Sequence, residues 1–176
     1  MKVIDTAIPD VKIIEPDVFS DERGWFMESW NHKSFCKQIA NREFVQDNQS
    51  LSHRGVLRGL HYQTSPFAQG KLVRVITGSV FDVAVDIRKS SKTYGRHVAV
   101  ELTAENKKML WIPEGFAHGF LALEDNTIFT YKTTGYYNKE SERSLHWKSP
   151  VLNIEWPSLE DINVNEKDSS AHFFNY

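Results

Sequence analysis

Leu72–Ile87 reads LVRVITGSVFDVAVDI. Two runs rich in β-branched residues flank Gly78-Ser79, a dipeptide suited to a tight turn of the II′ kind, so Lys71–Thr77 and Val80–Ile87 are expected to form a hairpin. On the second strand the side chains alternate between the faces of a pleated sheet: Val80, Asp82 and Ala84 share one face, and Phe81, Val83, Val85 and Ile87 the other. One face is uniformly apolar and one is mixed. A mixed face belongs either against solvent or around a ligand cavity, and jelly rolls commonly hold such a cavity between their two sheets.

The same grammar extends along the chain. Further strands are expected at Val11–Ile14, Trp25–Ser29, Phe44–Ser52, Val56–Gln63, His97–Leu102, Lys108–Ile112, Phe116–Leu123 and Thr127–Thr134. Their spacing of roughly 8–12 residues is that of an all-β sandwich or barrel. WIPEGFAHGFLAL, Trp111–Leu123, reads as a second hairpin, with Pro113 and Gly115 turning the chain. Lys33–Ala40 is the one clear helix, capped by Asn31 or Ser34. From Ser144 the periodicity fades, which suggests loops and short helical turns wrapped over the barrel.

The whole chain, residues 1–176, is expected to form a single domain with a substantial core. With 21 Lys+Arg against 23 Asp+Glu, the net charge of −2 gives no global basic field for nucleic acid or an anionic membrane. An anionic ligand must therefore be met by local cations. The single cysteine, Cys36, cannot form an intrachain disulfide, no apolar run is long enough to span a bilayer, and the N-terminal stretch has no uninterrupted apolar core. A cytoplasmic location is the expectation.

His61 lies in RGLHYQ, Arg58–Gln63. On an apolar strand a lone histidine is more often a hydrogen-bonded structural residue than a catalyst. Ideal alternation points Arg58, Leu60 and Tyr62 one way and Leu57, Gly59 and His61 the other, which would separate Arg58 from His61. Gly59 is where a bulge can re-aim side chains, and a distortion is expected there. Lys71, in QGKLVRV, is either a solvated strand end or a cavity cation. His118, in FAHGF, reads equally as a satisfied core residue. Two strand histidines in a jelly roll raise the question of zinc or iron, but no His-x-His pair with a following Glu is present, and Arg58, Tyr62 and Gln63 do not suit ligation. No metal is expected.

Tyr131, in TIFTYKTTGYYN, is by default a packing residue with a hydrogen-bonded tip, while Tyr137, after a turn, is placed to stack on a base. RGWFMESW and FVQDNQS set Arg23, Glu28, Gln46 and Asn48 among apolar residues, either as ligand contacts or as exposed strand positions. NEKDSS, with Lys167 and Asp168, reads by default as an exposed charged loop.

Taken together, DERGWFMESW, FVQDNQSLSHRGVLRGLHYQ, QGKLVRVITGSVFDVAVDIRKSSKTYG, WIPEGFAHGFLAL, YKTTGYYNKESER, IEWP and NEKD resemble the dTDP-4-dehydrorhamnose 3,5-epimerase family, in family order from Glu15 to Asp168. The resemblance implies a cupin-type jelly-roll domain with a few short helices, without metal or cofactor, usually a homodimer. It implies conversion of dTDP-4-dehydro-6-deoxy-D-glucose to dTDP-4-dehydro-L-rhamnose for L-rhamnose biosynthesis. On the same ground His61 matches the base, Asp168 the carboxylate that orients it, Tyr131 the acid on the opposite sugar face, and Lys71 the cation beside the sugar oxygens. Arg58 and His118 match further substrate contacts. Arg23, Glu28, Gln46, Asn48, Glu142 and Lys167 match positions that bind the nucleotide or its phosphates, and Tyr137 the ring that stacks on thymine, a place some members fill with tryptophan.

That chemistry suits these side chains. Inverting a carbon α to a ketone removes a proton from one face and returns one to the other, which needs a base and an acid on opposite sides. A neutral imidazole accepts a proton near pH 7, a phenol stays protonated, and a cation stabilises the enolate oxygen. No redox step occurs, so no nicotinamide is expected. Two alternatives remain open on sequence: a mono-epimerase inverting only C3 or C5, and a non-catalytic jelly-roll sugar-binding module.

Overall fold

The computed structural model describes residues 1–175. Its strands form two facing sheets. The first has six strands in the order β1 (Lys2–Asp5), β2 (Lys12–Glu15), β10 (Met109–Ile112), β7 (Lys71–Thr77), β12 (Thr127–Thr133) and β5 (Gln46–Ser52). The second runs β13 (Glu142–Ser144), β6 (Val56–Gln63), β11 (Phe116–Ala122), β8 (Ser79–Asp86) and β9 (His97–Thr103), with the short β14 (Asn163–Val164) added in parallel on β6. All other pairings between these strands are antiparallel. This is a jelly-roll sandwich of the cupin type.

Apolar residues on the inner faces fill the space between the sheets. Val73, Val75, Leu110, Ile112 and Phe129 from the first sheet meet Val80, Ala84, Val98, Leu102, Phe116 and Phe120 from the second. Phe120 and Phe129 stack across this gap with ring centroids 4.3 Å apart.

The expected hairpin at Leu72–Ile87 is not one. β7 pairs with β10 and β12, whereas β8 pairs with β9 and β11, so the chain changes sheets at Gly78. A dipeptide suited to a tight turn does not say whether the next strand lies beside its predecessor or over it. What decides is that both strands are largely buried and each finds a partner on both sides within its own sheet. Gly78 takes φ +80°, and a Cβ there would lie 2.3 Å from Thr127 Oγ1, so the corner requires glycine. The second expected hairpin fails in the same way, because β10 and β11 lie in opposite sheets.

The mixed face of β8 points inward and the apolar face outward. That outer face stays dry because the C-terminal segment lies over it. Leu60, Val83, Val85 and Ala117 are covered by Leu152 and Phe174, and Leu57 and Leu121 by Trp147 and its neighbours. Burying a Leu or Phe side chain is worth about 1.5–3 kcal/mol, so this strap contributes to stability as well as carrying α2 (Glu166–Ser169) to the sandwich.

Two peripheral elements complete the chain. Helix α1 (His32–Gln38) begins at Asn31, whose side chain accepts the Ser34 N–H, and buries Phe35 against Trp30, Phe44 and Trp111. β3 (Val18–Asp21) and β4 (Gly24–Met27) form a two-stranded sheet paired with neither wall, and they leave Phe19, Trp25 and Phe26 exposed.

Candidate active site

β6 sets the site because its alternation is broken at Gly59. That residue has φ +120°, the Gly59–Leu60 peptide is cis, and the pairing of β6 with β11 shifts register between His118 and Phe120. The expected distortion is therefore present. Leu57, Leu60 and Tyr62 pack toward the C-terminal strap, while Arg58, His61 and Gln63 line a cavity between the sheets. Gly59 lies against Gly119: a Cβ on the former would sit 2.6 Å from the Gly119 Cα.

The cavity measures about 360 Å³. His61 and His118 reach it from the second sheet, and Lys71, Tyr131 and Asn48 from the first. His61 Nε2 lies 2.6 Å from Asp168 Oδ1, and the other carboxylate oxygen accepts the Gly59 N–H at 3.0 Å. Asp168 is 0 % exposed. Burial alone would raise its pKa, but the His61 hydrogen bond and charge, with the Gly59 N–H, hold it below the usual carboxylate value. An ionised Asp168 has no proton to give, so Nε2–H donates and Nδ1 is the unprotonated nitrogen of the neutral ring.

NEKDSS is thus exposed except at Asp168, and it forms a short helix rather than a loop. Asn165 caps α2 by accepting the Asp168 N–H at 2.7 Å, which turns the Asp168 carboxylate inward, while Lys167 stays at the surface.

Lys71 is 8 % exposed and donates to the His61 carbonyl oxygen at 3.3 Å. Burial lowers its pKa to about 8, with the charges of Asp82 and Glu142 limiting the fall. Burial also raises the Tyr131 phenol; Glu142 adds to the rise and Arg58 opposes it. Arg58 is held by Ser52 Oγ and the Leu51 carbonyl, both at 3.1 Å. His118 Nε2 lies 2.9 Å from Asp82 Oδ2 in the buried floor.

A polar rim surrounds the mouth. The Tyr137 hydroxyl donates to Glu142 at 3.1 Å, Lys167 Nζ lies 2.6 Å from the same carboxylate, and Gln46 accepts the Tyr137 N–H while donating to Asn48. Burial works to raise the Glu142 pKa, but Lys167 and Tyr137 outweigh it and the group is held low.

Eleven of the thirteen residues singled out in the sequence thus meet at the cavity or its rim. Arg23 and Glu28 do not. Arg23 is 84 % exposed and bound to Asp21 at the β3–β4 turn, and Glu28 accepts from Asn31 at 3.0 Å. Both lie away from the cavity of their own chain, Arg23 in the turn of a hairpin that pairs with neither sheet and Glu28 just after it. Sequence reading missed Asp82 and Asn165. The first was visible as an acid in the middle of the inward face of a largely apolar strand, and the second as a cap preceding Glu-Lys-Asp. Among the described residues, no group of three or more His, Cys, Asp or Glu is arranged to hold a metal, and no helix is long and apolar enough to cross a membrane.

The arrangement puts a carboxylate-steered imidazole and a buried phenol on facing walls, with an ammonium beside them. Comparison with known proteins agrees with that chemistry. The family described as dTDP-4-dehydrorhamnose 3,5-epimerase matches residues 5–175. The protein of that name from Shigella flexneri is 58% identical over 175 residues, covering 99% of this chain and 96% of its own. Among solved structures, a 3,5-epimerase from Legionella pneumophila in complex with dTDP-4-keto-L-rhamnose superposes with a TM-score of 0.95 at 51% identity, covering 98% of this chain and 92% of that one. A 3′-monoepimerase from Streptomyces bikiniensis in complex with dTDP-quinovose gives a TM-score of 0.90 at 31% identity, covering 96% and 86%.

Proposed function

The chain belongs to the dTDP-4-dehydrorhamnose 3,5-epimerase family, and from that premise we propose how its cavity carries out the reaction. The enzyme epimerises C3 and C5 of dTDP-4-dehydro-6-deoxy-D-glucose, giving dTDP-4-dehydro-L-rhamnose. The observation that carries the assignment of roles is the placement of His61 and Tyr131 on opposite sheets around one cavity.

His61 Nδ1 takes the proton from a carbon next to the C4 ketone, and the C–H electron pair moves into an enolate whose charge lies on the C4 oxygen. Asp168 stabilises the imidazolium that results. Lys71, itself buried, supplies positive charge to the enolate oxygen, where such a contact is worth more than in solution. Tyr131 then gives its phenolic proton to the opposite face of the same carbon. Solvent reprotonates Tyr131 and takes the proton from His61, and the cycle repeats at the second carbon. Tyr137 stacks on thymine, Asn48 and Gln46 hold the nucleoside, and Lys167 and Arg58 meet anionic oxygens of the diphosphate and the sugar.

The working unit is a homodimer. Phe26 is 70 % exposed on a hairpin that no strand of its own chain covers, and Arg23 and Glu28 flank it. A second copy that buries these aromatics brings Arg23 and Glu28 to its own cavity, where the nucleotide needs cationic and polar partners. Inversion at a single carbon is the weaker reading, since the 3′-monoepimerase is the more distant of the two structures compared.

The reaction is tested by turning over dTDP-4-dehydro-6-deoxyglucose in D₂O and following the C3 and C5 proton signals by NMR. Deuterium at both positions of the product is expected. Incorporation at one position only would make the enzyme a mono-epimerase, and none at either would end the acid–base assignment.

A further inference from the structure

Tyr137 stands on a stretch of chain that belongs to neither sheet. Between the end of β12 at Thr133 and the start of β13 at Glu142, residues 136–138 have no regular secondary structure, and the Tyr136 and Tyr137 rings are exposed. Open loops of this kind are ordinarily mobile, with their peptide groups bonded to water. Here four consecutive residues each give a backbone group to a glutamine side chain. Gln69 Nε2 donates to the Gly135 carbonyl oxygen at 2.7 Å and Gln63 Nε2 to that of Tyr136 at 3.2 Å. Gln46 Oε1 accepts the Tyr137 N–H at 3.1 Å, and Gln63 Oε1 accepts the Asn138 N–H at 2.8 Å.

Gln63 is the centre of this mooring. It is buried at the end of β6, and its amide has two N–H donors and one carbonyl oxygen, all of them engaged, since Nε2 also donates to the Phe67 carbonyl oxygen at 2.6 Å. Through the Tyr136 carbonyl and the Asn138 N–H it holds both of the peptide planes that flank the Tyr137 Cα, which leaves that residue little freedom in φ and ψ. It also follows His61 by two residues on the same strand, and both side chains line the cavity. We propose that Gln63, assisted by Gln69, is a positioning residue that fixes the Tyr137 ring for the base of the nucleotide, so that the thymine and the reacting sugar carbons are both located from β6. The inference rests on the reading of Tyr137 as the ring that stacks on thymine. A ring already in place loses little freedom when the ligand arrives, whereas an untethered loop must be ordered on binding, which lowers affinity. Loss of the tether therefore weakens the complex and leaves the base, the acid and the cation where they are.

Gln63→Leu removes the amide at similar size. The dTDP dissociation constant, measured by calorimetry, and KM are expected to rise about ten-fold or more, while kcat at saturating substrate falls less than about three-fold. Hydrogen exchange of the Asn138 amide should quicken, and that of β6 and β11 should not. A double-mutant cycle with Tyr137→Ala identifies the route, because Gln63→Leu then costs little further affinity for dTDP in a chain that already lacks the ring. Gln69→Ala gives up a single bond and is read in the same way should the Gln63 variant fail to fold, with a rise of about three-fold in the dTDP dissociation constant expected. Unchanged dTDP affinity, a loss confined to kcat, faster exchange throughout β6 and β11, or additive effects in the cycle would each overturn the inference. Tyr137→Ala binding dTDP as tightly as wild type would instead overturn the stacking role itself, and the inference with it.

Discussion

In the proposed mechanism His61 acts as a base through Nδ1 because Asp168 has taken the other nitrogen, a division that accounts for the carboxylate being buried and the imidazole not. Tyr131 faces the opposite demand. Its burial raises the phenol pKa, which keeps the proton in place until a carbanion arrives to take it. The two roles separate experimentally. Tyr131→Phe leaves the base and the cation intact, so exchange of substrate protons with D₂O should persist while formation of inverted product falls about 10²- to 10⁴-fold. Product formation at the wild-type rate would remove Tyr131 from the mechanism. Of these residues, only a histidine on an otherwise apolar strand was conspicuous in the sequence. Asp168 lies in a charged run that reads as surface, and its burial follows from a fold-back of the chain and a cap at Asn165, neither of which a local pattern encodes.

Among the elements, strand positions were legible wherever β-branched residues alternate, and β6, β7, β11 and β12 follow the expected bounds within a residue. Pairing was not. Gly78 and Gly115 end strands in the way hairpin glycines do, but each passes the chain to the other sheet, a choice made by which distant strands are available rather than by the turn itself. Short edge pieces such as Val18–Asp21 and Glu142–Ser144 carry too little alternation to read. Gly59 is the opposite case, a local break whose consequence was readable because it stood between two side chains that a regular strand would separate. Its substitution tests the element as a whole. In Gly59→Ala the new methyl meets the Gly119 Cα and the His118 carbonyl oxygen at 2.6 Å, on backbone at φ +120°. Neither partner is a flexible side-chain end, so β6 and β11 must part. A loss of about 2–5 kcal/mol in urea unfolding is expected, together with loss of turnover as Arg58 and His61 leave their shared wall. A variant as stable and active as wild type would show that the close approach of the two glycines is not needed.

At the scale of the whole molecule, the same chain brings His61, Lys71, Tyr131 and Asp168 to one cavity and yet holds two of its expected nucleotide contacts elsewhere. Arg23 and Glu28 lie beside a detached hairpin with exposed Phe19, Trp25 and Phe26, an apolar cluster that a solitary protein would leave in water. If a second copy covers that hairpin, each cavity is assembled from two chains: base, acid and cation from one, and Arg23 from the other. Subunit mixing distinguishes this from a dimer of self-sufficient sites. His61→Asn removes the base, while Arg23→Ala weakens the grip on the nucleotide and is assayed at limiting substrate. In a heterodimer of the two, the cavity of the Arg23→Ala chain has its own His61 and receives an intact Arg23, whereas the other cavity lacks its base. Random reassortment makes half the dimers mixed, so activity should recover to about a quarter of wild type after the variants are unfolded and refolded together. Sites built from single chains would instead give only the average of the two separate variants, and Phe26→Glu would then leave the rate unchanged even if it splits the dimer.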